Sequence, residues 1–141
     1  MEIKMIPIPS SIEEVTPELC GRAWNEICGF KPGDSIPGYD KALCDARVIG
    51  KNFHVFLGKT TGPEFNFNPF TRPQDTKLLD KWLVGNGFIM NVDLLRNGNW
   101  ECRVFFSHNS GIGYVSRTAP TEEMARACAI IDAYNKLKGE S

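Results

Sequence analysis

No apolar run in this 141-residue chain approaches the roughly 18 residues that a membrane-spanning helix requires. The opening stretch MEIKMIPIPSSIEEV has no continuous apolar segment of the kind that directs export. Both absences lead to the expectation of a cytoplasmic protein without a membrane partner. Net charge is equally scarce, because 16 Lys and Arg stand against 17 Asp and Glu and leave −1. No global basic field therefore points to nucleic acid or an anionic membrane, although a local patch is compatible with the balance. Nucleic acid is accordingly not expected as a partner.

Chemistry-bearing patterns are also sparse. Histidine occurs only at His54 and His108, far apart in sequence, so a metal site would need residues from several elements and nothing marks one. The five cysteines (Cys20, Cys28, Cys44, Cys102 and Cys128) are odd in number, form no C-x-x-C pair and sit in apolar neighbourhoods. They read as reduced core thiols rather than a zinc or disulfide framework. There is no G-x-S-x-G elbow and no H-E-x-x-H. The glycines of SGIG (110–113) lack the strand-loop-helix context and the lysine of a phosphate-binding loop. Asp93 and Glu101 could approach one another across a hairpin, but both are better explained as polar-face residues. Neither catalysis nor a cofactor is expected.

What is present describes a globular domain. Apolar residues make up 42% and charged residues 23%, and the length suits one domain spanning 1–141 with one core. Residues 1–15 are expected as an extended or loosely helical arm. Thr16-Pro17-Glu18 then opens a helix with a cap, a proline at the first position and an acid near the positive end. Leu19, Cys20, Ala23, Trp24, Ile27 and Cys28 follow at helical spacing, and Gly29 ends the helix. Pro73 opens a second helix with Leu78, Leu79, Trp82 and Leu83 inward, and GNG (85–87) closes it. A third is expected from about Pro120 to Leu137.

Strands come as hairpins. ARVIGKNFHVFLG places a turn at Gly50-Lys51-Asn52, with Phe53 to Leu57 returning. FIMNVDLL (88–95) and WECRVFFS (100–107) flank Asn97-Gly98, a strong turn signal. One face of that hairpin is apolar and the other mixed, as suits an open or ligand-lined face. YVSRT supplies a fifth strand. The order α-β-β-α-β-β-β-α predicts an α+β fold: a mainly antiparallel sheet of about five strands with helices on both faces, an α/β/α sandwich.

Five segments carry a family resemblance: AWNEICGF (23–30), FNPFTRPQDTKLLDKWL (67–83), GFIMNV (87–92), WECRVFF (100–106) and TAPTEEMARACAII (118–131). In order and spacing they resemble the phage ABA-sandwich domain over most of residues 17–138; the hairpin at 43–57 is the departure. The resemblance implies a phage protein acting in the cytoplasm of the infected host, with an α/β/α fold. More loosely, size and element order resemble the Thoeris anti-defence sponge proteins, which bind cyclic ADP-ribose isomers and related nucleotides without degrading them. That likeness implies sequestration of a small nucleotide immune signal and pairing of subunits into a dimer or higher homo-oligomer. The alternative is a phage protein that inhibits a host defence protein by direct contact.

The residues allow a candidate ligand set. Arg117 leads into TAP at a helix mouth. It could grip a phosphate, or it could be a solvated strand-end residue paired with Glu122 or Glu123, two acids that would oppose an anion there. Arg103 and Phe105 share the mixed face, with Arg117 expected on a neighbouring strand. Such a strip could stack a base and neutralise phosphate, or Arg103 could face Asp93 or Glu101. Asn91 could read a base edge. Thr118 and Phe70 complete the set, Phe70 because the loop carrying Phe65, Phe67 and Phe70 is too aromatic for a free linker. Those three rings could cover a ligand or bury against a partner. Trp24, Trp82 and Trp100 read as core anchors.

Overall fold

The computed structural model describes residues 5–59, 62–108 and 111–139. A 3-10 turn (Ile12–Glu14) precedes α1 (Pro17–Arg22), which runs on as a π-helical stretch, Ala23–Cys28. β1 (Leu43–Ile49), β2 (Asn52–Leu57) and β3 (Phe65–Asn66) follow, then α2 (Pro73–Gly85). β4 (Ile89–Leu94), β5 (Trp100–His108), β6 (Gly111–Ala119) and α3 (Glu122–Gly139) complete the order.

Local chemistry sets the element ends. The Leu19 N–H donates to Thr16 Oγ1 over 3.1 Å, the cap expected of α1. The Gly29 N–H reaches back five residues to the Trp24 carbonyl, and Gly29 takes φ 69°, which only glycine adopts freely. At the β4–β5 turn the Asn99 N–H donates to Asn97 Oδ1, and Gly98 has φ 90°.

The expected single five-stranded sheet is corrected. Among the described residues the strands form two antiparallel three-stranded sheets, β1-β2-β3 and β4-β5-β6. The long aromatic loop is the physical reason. It contributes β3, which pairs with the outer side of β2 at His54↔Asn66 and Val55↔Phe65. The first hairpin thereby completes a sheet of its own. α1 packs on β1 and β2, α3 on β5 and β6, and α2 touches α3 and the π-helical stretch. The helices therefore meet one another instead of flanking one sheet.

One buried cluster runs through all of this. Trp24 is its hub: the rings of Phe30 and Phe67 lie 4.9 Å away and those of Phe53 and Phe65 at 6.3 Å. Phe65, Phe67 and Phe70 are buried, so core packing accounts for the aromatic loop. Asp75, in the first turn of α2, is buried too and accepts the Asn68 N–H over 2.8 Å.

The cysteines are free, and Cys44 is a correction to the expected core set because it is exposed. The register shifts between Leu43 and Asp45, which leaves Cys44 as the unpaired residue of a bulge, turned off the core. Burial pushes the Cys20 and Cys102 thiols up to about 12 and Cys128 to about 11, and Cys28 also rises.

Candidate functional site

The inner face of the β4–β6 sheet is closed by α3. Cys102, Val104, Phe106, Val115 and Ala119 are buried there. Among the described residues no helix packs on the opposite face, and alternation sends to it three cross-strand rows that run through all three strands. Ile89, Phe105 and Tyr114 form the first, Asn91, Arg103 and Ser116 the second, and Asp93, Glu101 and Thr118 the third.

The first row is apolar and wet. Ile89 is 65% exposed and Tyr114 61%, while Phe105 between them is half-buried. The Phe105 and Tyr114 rings stand 5.7 Å apart at 32°. The other rows form one polar network. Arg103 donates from Nε and Nη2 to Glu101 Oε1 at 3.0 and 2.8 Å, and Nη2 lies 3.6 Å from Asp93 Oδ2. The Ser116 hydroxyl donates to the other Glu101 oxygen over 3.2 Å. The Arg103 hydrogen bonds, aided by Ser116, hold the Glu101 carboxyl below its usual range, and Glu101 in turn raises Arg103. Two carboxylates thus answer one guanidinium.

The candidate residues divide by face. Asn91, Arg103, Phe105 and Thr118 share the open face. Arg117 does not join them: it pairs in register with the buried Cys102 and so leaves the sheet on the helix side. Its Nε donates to Asp132 of α3 over 2.9 Å, a partner one helical stretch beyond the expected Glu122 and Glu123. Glu122 lies instead 3.5 Å from Arg126. Phe70 is fully buried and lines a pocket beside the start of α3. Ile89, Tyr114 and Ser116 were not among the sequence candidates. The alternation in GYVSRT would have placed Tyr114, Ser116 and Thr118 together, opposite to Val115 and Arg117.

The face suits non-covalent contact. It offers an apolar strip, hydroxyls and an amide, and an arginine already bonded to carboxylate. An arriving phosphate would have to displace Glu101 from the Arg103 fork. Among the described residues no group of three His, Cys, Asp or Glu is placed to hold a metal ion, and no helix is long and apolar enough to cross a membrane. The chain matches no family model, no curated protein and no solved structure.

Proposed function

We propose that this chain is a non-catalytic binding protein that works through the open face of the β4–β6 sheet, and that the face engages another protein. The observation that carries the reading is the Ile89–Phe105–Tyr114 row, left in solvent beside two polar rows. Apolar and aromatic anchors bordered by polar groups are how protein interfaces gain energy and register. The resemblance to phage ABA-sandwich proteins implies a phage setting but no particular activity; within that setting the partner we propose is a host defence protein, inhibited by contact without chemistry.

Nucleotide sequestration is the second reading, favoured by one observation. The Phe105–Tyr114 pair, with Asn91 nearby, is a surface on which a base could stack. It requires Arg103 to exchange Glu101 for phosphate.

One experiment separates them. A photo-crosslinking benzoylphenylalanine replaces Tyr114, and cells carrying a phage-defence system are irradiated. The protein reading expects one discrete heavier adduct containing a host protein, abolished by Ile89→Lys. An adduct of twice the chain's own mass would make the face a homo-oligomer contact and overturn a host partner. Release of an intact cyclic nucleotide on heating the purified protein, with no adduct, would overturn the protein reading in favour of the sponge.

A further inference from the structure

A second concave feature lies away from the open face. A pocket of about 400 Å3 is bounded by Ser10 to Glu13, by Phe70 and Thr71, and by Pro120, Thr121, Glu123 and Met124. That volume falls in the range of small-molecule sites, roughly 300–1,000 Å3. Its wall formed by the N-terminal arm is fixed to α3. The Ile6 N–H donates to Asn135 Oδ1 over 3.0 Å, the Asn135 amide returns a bond to the Ile6 carbonyl at 2.9 Å, and Ile6 is buried.

The lining is apolar at its base, where Phe70 and Met124 are buried. Its polar groups are hydroxyls and two carboxylates, without a lysine, arginine or histidine. Neighbouring groups are already engaged: Glu14 accepts the Ser10 N–H, Glu122 sits by Arg126, and Thr121 Oγ1 accepts the Met124 N–H. Glu13 and Glu123 make no ion pair with any described residue. Glu123 stands in the first turn of α3, whose positive end favours its carboxylate, and Glu13 is solvated, but with no basic side chain in the lining the two acids repel anions and favour a cation that brings its own apolar body.

We propose that this pocket binds a small organic ammonium, with the hydrocarbon part against Ile12, Pro120 and Met124, which Phe70 backs from the core, and the charged nitrogen toward Glu13 and Glu123. It is independent of the open-face reading. The charge preference follows from a lining that holds carboxylates and no cation. The need for an apolar body follows from walls that a bare metal ion or a hydrated ammonium could not satisfy.

Calorimetric titration with three molecules of one shape tests it: 2-phenylethylammonium, 2-phenylethanol and 3-phenylpropanoate. The ammonium should bind at least about tenfold more tightly than the alcohol, and the carboxylate most weakly, with the ammonium preference shrinking as salt rises. Glu13 is exposed and Glu123 half-buried, so Glu13→Gln and Glu123→Gln should fold normally, as checked by thermal unfolding. Each should weaken the ammonium several-fold and leave the alcohol unchanged. Equal affinity for ammonium and alcohol would overturn the proposal. So would an absence of saturable ammonium binding up to millimolar concentration, or indifference to both substitutions.

Discussion

Arg117 of β6 is joined to Asp132 of α3 by a 2.9 Å hydrogen bond between opposite charges, with Arg117 side-chain exposure of 42% and Asp132 of 15%. This pair fastens the sheet to the helix that covers it. Half-exposed pairs are screened by water, so Arg117→Ala should cost about 1 kcal/mol in urea unfolding. The double substitution with Asp132→Asn should show a coupling of similar size. A purely structural Arg117 predicts that neither substitution changes adduct formation at position 114; a changed adduct would return Arg117 to the binding surface.

The open face should be separable from the fold. Ile89 and Tyr114 are largely in solvent, so Ile89→Thr and Tyr114→Thr should change the unfolding free energy by no more than about 0.5 kcal/mol each. Both should nevertheless abolish partner binding. Loss of stability by several times that amount would mean that the row holds the sheet together instead of recognising a partner.

How far the sequence carried these readings differs by level. Capping, turn and periodicity signals located the elements because each rests on neighbours in the chain: Thr16 on Leu19, Asn97 on Asn99, Gly29 on Trp24. Sheet partition was not local. Phe65 and Asn66 pair with β2 because Phe65 and Phe67 are drawn to Trp24, and no spacing rule reads that contact. The site was half legible for the same reason. Alternation put Arg103 and Phe105 on one face of a strand, but the side of β6 that joins them follows from the pairing of β5 with β6. Arg103 lies opposite Ser116, so Arg117 falls on the other side.

Asp75 carries a pH signature. Burial raises its carboxyl above the usual range, against the opposing Asn68 N–H and the Arg72 guanidinium 3.4 Å away. A carboxyl that holds its proton more tightly when folded favours the fold most below its unfolded pKa. That contribution is lost as pH rises through the raised value. Asp75→Asn should therefore flatten the stability profile above about pH 4, where the free carboxyl ionises, with neutral stability within about 1 kcal/mol of the parent. Asp75→Ala should cost about 1–3 kcal/mol, since the Asn68 N–H loses its acceptor. Chemical denaturation at a series of pH values distinguishes the two, and a steeper profile for Asp75→Asn would refute this assignment.

Thiol reactivity should report the bulge at Cys44. Thiolates react and thiols do not, and burial keeps Cys20, Cys28, Cys102 and Cys128 protonated. The native protein should release about one equivalent of chromophore from an aromatic disulfide reagent near neutral pH, rising to all five thiols in denaturant. A Cys44→Ser variant should show almost none in the native state. Rapid reaction of a second thiol would indicate that a covering element opens.

Gly21 tests how tightly α1 meets β2. In an isolated helix Gly→Ala is stabilising by about 1 kcal/mol. Here a Cβ on Gly21 would lie 2.8 Å from Phe53 Cε2 and 3.0 Å from Cδ2. The Phe53 ring has little room to retreat, being buried with Trp24 and Phe67 centroids at 6.3 and 6.4 Å. Overpacking of this kind costs roughly 1–3 kcal/mol, so the steric term should outweigh the helix gain and Gly21→Ala should lower the urea midpoint. Adding Phe53→Leu removes the clashing ring edge, and the double variant should be less destabilised than the two single effects sum to. Strict additivity would show that the helix–strand contact at this point is loose, and that Gly21 serves some end other than letting the Phe53 ring lie against the helix backbone.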